Sequence, residues 1–187
     1  MGDDGSNAGG APRIGRRAVL AGVACGAAFI AVPAAARPLA ERHLRLLCPE
    51  TGERFAGAYW RRGHFVPGAM PRIDWLMRDF HCDAVGRMDP ALIDLLHRIF
   101  VAAGGQRPVQ VLSGFRTRAT NLVLRQEGFP AAPHSQHLEA RAADIRIEGV
   151  RVSHLHRLAM RLRRGGVGLY REYVHVDTGP LREWRCD

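Results

Sequence analysis

The longest apolar run in the chain, Ala18 to Ala36, sits directly behind the pair Arg16-Arg17 and ends in Ala34-Ala35-Ala36 before Arg37. Basic, then apolar, then small is the order of an export signal. Gly22, Gly26 and Pro33 interrupt the run and alanine dominates it, so a stable membrane-spanning helix is the weaker reading. Residues 1–36 are thereby set aside as a leader, and residues 37–187 are left to build one domain. The local sequence Gly15-Arg16-Arg17-Ala18-Val19-Leu20 suggests the twin-arginine route, which carries folded proteins to the periplasm.

The whole chain is 47% hydrophobic and 24% charged, with apolar residues spread along most of its length, so that domain can bury a core and is not expected to be disordered. The formal net charge is +9 and every basic residue other than histidine is arginine. Such a surface suits an anionic partner, either nucleic acid or the carboxylate-rich peptide of a cell wall. No basic stripe interleaved with aromatics supports nucleic acid, and an exported protein meets the wall. Without Cys25 of the leader, Cys48, Cys82 and Cys186 remain, an odd number with neither CxxC nor Cys-His zinc spacing. They read as buried or disulfide-linked residues, one thiol at least staying free of a partner within the set.

Periodicity gives the elements. Residues 42–65 read as a two-stranded hairpin turning near Glu50-Thr51-Gly52. A helix over Met70–His81 carries Ile73, Leu76, Met77 and Phe80 on one face. Asp89-Pro90 caps a second helix with a stripe of Leu92, Leu95, Leu96, Ile99 and Phe100, stopped by Gly104-Gly105. A strand at Val109–Leu112 leads through Ser113-Gly114-Phe115-Arg116 to a helix around Ala119–Gln126. Ala142–Ile147 alternates as a strand, with Ala143, Ile145 and Ile147 on one face and Asp144 on the other. Ser153 is expected to cap a helix bearing Leu155, Leu158, Ala159 and Leu162, ended by Gly165-Gly166. In the last strand, Tyr173–Asp177, Val174 and Val176 face the core while Tyr173, His175 and Asp177 share the other face, where Tyr173 is expected to be a packed aromatic, with lining a groove as the alternative.

His137, Asp144 and His175 stand out as two imidazoles and a carboxylate from a loop and two strands. Two nitrogen donors and one oxygen donor suit Zn2+ with an open water position, and a metal so held promotes hydrolysis. His134 is read as a solvated histidine, because a catalytic zinc keeps its fourth position open, and His154 and His156 as surface residues.

Ser135-x-His137, Asp144 after six intervening residues, the preceding Ser113-Gly114-Phe115-Arg116, Gly165-Gly166-Val167-Gly168 and Val174-His175-Val176-Asp177-Thr178-Gly179-Pro180 together resemble the zinc D-alanyl-D-alanine peptidase superfamily. Within it the chain is most similar to the branch of murein endopeptidase K and its relatives. The resemblance implies an α+β fold of the hedgehog/D-Ala-D-Ala-peptidase type, an antiparallel sheet flanked by helices, with Zn2+ on His137, Asp144 and His175. It implies that Arg116 holds a substrate carboxylate or the developing oxyanion, with Ser135 binding substrate beside it. The general base is open between Glu172, three residues before His175, and Asp177, which otherwise orients an imidazole. The superfamily's glycine three residues after the first histidine is Ala140 here, a change the backbone accepts unless φ there is positive. The expected function is hydrolysis of peptide crosslinks in peptidoglycan, with its stem peptides as partners. The alternative is a non-catalytic module that keeps the zinc and binds the wall or a partner.

Overall fold

The computed structural model describes residues 41–186, so the expected export signal lies outside the described residues. Among them are eight strands, four α-helices and one short 3-10 helix. Leu44 and Leu46 alternate to the buried face of β1 (Arg42–Leu47), and Phe55 and Tyr59 do so in β2 (Arg54–Arg61). The two strands pair antiparallel with Leu46 opposite Phe55, as the hairpin reading requires. A further strand, β3 (His64–Phe65), folds back on β2 through Arg62-Gly63, both at positive φ. That is the conformation of a tight hairpin turn, in which Arg replaces the usual Asn or Asp and so leaves little signal.

Helix α1 (Ala69–Leu76) stops five residues short of the expected His81. The carbonyl of Met77 accepts the N–H of Phe115 at 2.8 Å, and the Asp79 carboxylate accepts the Thr117 N–H at 2.8 Å and its hydroxyl at 2.9 Å. These tertiary bonds divert the backbone from the helical ladder, while Met77 stays buried and Phe80 half-buried against the core. Helix α2 (Pro90–Ala102) starts and ends as its sequence dictates. The Asp89 side chain accepts the Ala91 N–H, Pro90 occupies the first turn, and Gly104 and Gly105 follow at positive φ. Its buried stripe of Leu92, Ile93, Leu95, Leu96, Ile99 and Phe100 forms the centre of the core.

Strand β4 (Val109–Ser113) leads to α3 (Arg118–Gln126), capped by Thr117, and then through the 3-10 helix Gln136–Glu139 to β5 (Ala142–Ile147). Helix α4 (Val152–Leu162) begins at Arg151 rather than at a Ser153 cap, because the turn at Gly149 delivers the chain to the helix two residues earlier. Its C-cap is Arg163, in the left-handed conformation before the glycine pair is reached. Two strands absent from the sequence reading follow, β6 (Gly166–Leu169) and β8 (Arg182–Arg185), on either side of β7 (Val174–Asp177) in the chain. The first is half glycine and the second polar, so neither carries a strand's apolar signature.

All eight strands form one sheet in the order β3-β2-β1-β4-β5-β7-β6-β8. The α+β class holds, but the sheet is mixed where an antiparallel one was expected. β1 runs parallel to β4, and β6 runs parallel to β8. The first pairing follows from the helices between β1 and β4, since parallel neighbours need a long crossover. Among the described residues no helix is long and apolar enough to cross a membrane, and Cys48, Cys82 and Cys186 are all free thiols.

Ala140 closes the 3-10 helix at φ 52° and ψ 34°, the positive φ its sequence position had left open. A left-handed L-residue costs about 1–2 kcal/mol, and burial of its methyl, worth roughly 0.8 kcal/mol, offsets part of that. Its carbonyl accepts the N–H of Asp89 at 2.9 Å, and Asp89 Oδ2 accepts the Thr178 hydroxyl at 2.6 Å. Asp89 therefore ties α2 to the loops on both sides of the site. Ala140→Val should lower stability by about 2 kcal/mol or more, since a β-branched residue tolerates this φ worst, with Ala140→Gly within about 1 kcal/mol of the parent. Asp89→Ala should cost about 1–2 kcal/mol. Urea titration of the three variants checks both expectations, and an unchanged Val variant would contradict the first.

Candidate active site

Strand pairing sets Ser113, Asp144, His175, Gly168 and Trp184 in a single row across β4, β5, β7, β6 and β8, each opposite the next. Residues opposed in a sheet send their side chains to the same face, so Asp144 and His175 meet. Their neighbours in sequence, Ile145, Val174 and Val176, are buried in the core. The third donor, His137, comes from the 3-10 helix, whose first turn is capped by Ser135 Oγ accepting the His137 N–H at 3.3 Å. The Arg116 N–H donates to the His137 carbonyl at 3.1 Å and fixes that helix against the end of β4.

His137 Nδ1 lies 2.6 Å from the carbonyl oxygen of Gly114. A carbonyl only accepts, so Nδ1 carries the proton and Nε2 a lone pair. His175 Nε2 lies 3.0 Å from Asp177 Oδ2, which by the same reasoning leaves Nδ1 as the free nitrogen when the ring is neutral. The two free nitrogens are 3.2 Å apart, and Asp144 Oδ1 lies 2.9 Å from His175 Nδ1 and 3.3 Å from His137 Nε2. All three residues are buried. Donors placed tetrahedrally at about 2.0–2.1 Å from Zn2+ stand about 3.3 Å from one another. Donor types, lone pairs and spacings therefore all fit a tetrahedral divalent cation.

Burial opposes ionisation of Asp144, yet the His137 and His175 imidazoles hold its carboxyl well below the usual range. Burial likewise pushes His137 down. His175 is pulled up despite its burial, through hydrogen bonds to Asp144 and Asp177. Asp144 Oδ2 accepts from Arg116 Nη2 at 2.7 Å, and Arg116 Nε donates to Ser113 Oγ at 2.8 Å. The expected substrate-binding arginine thus first braces a donor, leaving Nη1 without a protein hydrogen bond among the described residues.

Neither expected base has a free carboxylate on the donor cluster. Glu172 is exposed and is not among the cavity-lining residues. Asp177 is fully buried, and both its oxygens are engaged: Oδ1 accepts from the N–H groups of Gly166 and Gly179, and Oδ2 from His175 and Arg182. Burial works against its charge, but the hydrogen bond from His175 and the two backbone N–H groups bring its carboxyl down to about 2. It touches the imidazole on the side away from the donors.

The cluster opens into a cavity of about 790 Å³ whose wall includes Arg116, Ser135 and Tyr173. It also includes residues that sequence reasoning missed: Phe129, Tyr170 and Trp184. Tyr170 and Tyr173 stack at 4.4 Å, and burial pushes the Tyr173 phenol up, so it remains a neutral hydroxyl. The only advance signal for Trp184 was the run Gly165-Gly166-Val167-Gly168. A Cβ on Gly168 would stand 2.5 Å from the indole, so the glycine is what lets the ring lie over β6. His134 and His154 are exposed as expected, whereas His156 is buried beneath β8, with Nε2 3.4 Å from Glu183 but not hydrogen-bonded to it. Its burial follows from its position next to Leu155 on the inner side of α4.

Residues 36–184 match the family described as peptidoglycan L,D-endopeptidase MepK. The relative of that name in Escherichia coli (strain K12) is 36% identical over 178 residues, covering 90% of this chain and 96% of the relative. The Shigella flexneri protein of the same name gives the same figures. A probable peptidoglycan L,D-endopeptidase MepK of Haemophilus influenzae is 36% identical over 138 residues, 72% of this chain and 74% of its own length. Since the matched span takes in β1 to β7, most of β8, His137, Asp144, His175 and Arg116, the chain belongs to the peptidoglycan L,D-endopeptidase MepK family.

Proposed function

We propose that this protein is an exported zinc peptidase that hydrolyses peptide crosslinks of peptidoglycan. The observation that carries the reading is the donor triangle of His137 Nε2, Asp144 Oδ1 and His175 Nδ1, with sides of 2.9–3.3 Å, at the floor of an aromatic-walled cavity. Family membership supplies the substrate class, since the relatives are named for an endopeptidase of peptidoglycan. It also supports assigning the mixed sheet to the fold type of D-alanyl-D-alanine peptidases. The leader read in residues 1–36, with its Arg16-Arg17 pair, supports a periplasmic destination.

His137, Asp144 and His175 would hold Zn2+. When bound, such a cation polarises an amide carbonyl and acidifies a water at near-neutral pH. The chain's own contribution is binding, orientation and charge. Arg116 holds Asp144 in its donor rotamer through Nη2, and its free Nη1 is available to a substrate carboxylate or to negative charge on the attacked carbonyl. Ser135 keeps His137 in place as the cap of its helix, with its hydroxyl hydrogen left for substrate. Asp177 is a positioning residue: it keeps the proton on His175 Nε2 and the lone pair on Nδ1. Glu172, outside the cavity wall, is assigned no step. The aromatic wall offers surface to the stem peptides, whose carboxylates match the charge of the lining arginines Arg116 and Arg182.

Incubated with crosslinked muropeptide dimers and zinc, the protein should release monomers by chromatography, and a chelator should stop it. His137→Ala should abolish cleavage and Asp177→Asn should slow it about 10–100-fold, while Leu138→Ala and Glu172→Gln stay within about twofold of the parent, as surface changes do. Dimers left intact by folded, zinc-loaded protein would favour the wall-binding module instead, and equal loss in His137→Ala and Leu138→Ala would remove the ligand assignment.

A further inference from the structure

Strand β8, which the sequence pattern hides, touches the site twice. Arg182 Nη2 donates to Asp177 Oδ2 at 2.6 Å and Nη1 to Asp177 Oδ1 at 3.3 Å, so one guanidinium spans both oxygens. The same Oδ2 receives His175 Nε2 at 3.0 Å. Two residues further along β8, the Trp184 indole lies against the His175 ring, with centroids 5.1 Å apart and planes inclined by 51°. Its Nε1–H is donated to the Tyr170 hydroxyl at 3.1 Å, and the Arg182 guanidinium lies 5.0 Å from its ring centre. Strand β6 is cleared for both side chains. A Cβ on Gly166 would stand 2.6 Å from Asp177 Oδ2 and 2.8 Å from Arg182 Cζ, and one on Gly168 would enter the Trp184 ring.

A carboxylate beside an imidazole can turn about its own axis and can take the ring proton. A guanidinium bridging both oxygens blocks the first and opposes the second by stabilising the anion. An indole against the imidazole restricts rotation of the ring about its bond to Cβ. Together they fix the two properties a donor nitrogen needs, its tautomer and its direction. We infer that Arg182 and Trp184 are positioning residues for His175, Arg182 acting through Asp177 and Trp184 by direct packing, and that they set how tightly the His137–Asp144–His175 site holds a divalent cation. The inference rests on reading those three residues as a zinc site.

The test is the Zn2+ affinity of the full chain, measured by competition with a chromophoric chelator, alongside circular dichroism and the thermal midpoint of the metal-free protein. Arg182→Gln and Trp184→Leu should each weaken Zn2+ binding about 10–100-fold while the metal-free proteins keep the parent's spectrum. Arg182→Lys should fall between Gln and the parent, since it restores charge without the fork. Arg185→Gln, on the opposite face of β8, should bind as the parent does. Gly168→Ala gives a second route, pressing a methyl on the indole from β6. It should weaken binding in the same direction, and combined with Trp184→Leu it should lose little more than Trp184→Leu alone. Parent-like affinity in folded Arg182→Gln and Trp184→Leu, or in Gly168→Ala should Arg182→Gln not fold, would overturn the inference and leave the zinc reading standing. A parent protein that binds no Zn2+ would overturn both.

Discussion

The pairing of β5 with β7 that sets Asp144 opposite His175 carries the rest of the structure. The two strands alternate so that Ile145, Ile147, Val174 and Val176 enter the core while Asp144, His175 and Asp177 turn to the other face. A slip of one residue would send every side chain of a strand to the wrong side. The burial that stabilises the sheet therefore also fixes the donors' register. Core and site are two faces of one alternation, and no separate loop geometry is needed to bring two of the three donors together.

Burying two carboxylates on opposite nitrogens of one imidazole demands compensation, and the fold supplies it with two arginines. Arg116 takes the outer oxygen of Asp144, and Arg182 takes both oxygens of Asp177. An isolated buried carboxylate would protonate instead. These contacts also limit what each acid can do. A carboxylate with every oxygen engaged and no solvent exposure orients its neighbour better than it accepts a proton from water. That is the physical reason the proposed function gives Asp177 a positioning role and Glu172, exposed outside the cavity wall, no step.

Much of this was legible in the sequence because it follows from periodicity and from residue chemistry. The bounds of β5 and the cap and stripe of α2 were recovered, as was the trio His137, Asp144 and His175. What escaped was set by tertiary contact. Strand β8 is charged at three of its four positions and β6 is half glycine, yet pairing with neighbours makes both of them strands. Helix α1 ends early because Phe115 and Thr117 claim its next backbone and side-chain groups. His156 gives no core signal because its side chain is polar, yet it lies beside Leu155 on the buried side of α4. Ala140 stands out in the sequence as a departure from a glycine, but only its φ of 52° in the fold shows that the chain accepts strain there. The glycine run at residues 165–168 was visible as a motif, and its cause, space for Asp177, Arg182 and Trp184, needed coordinates.

The central claim is that three side chains share one cation. Anomalous diffraction at the zinc absorption edge, from crystals of the protein loaded with one equivalent of Zn2+, measures it most directly. The account predicts a single strong peak bonded to His137 Nε2, Asp144 Oδ1 and His175 Nδ1 at about 2.0–2.2 Å. A peak elsewhere, or none at the cluster in fully loaded crystals, would contradict it.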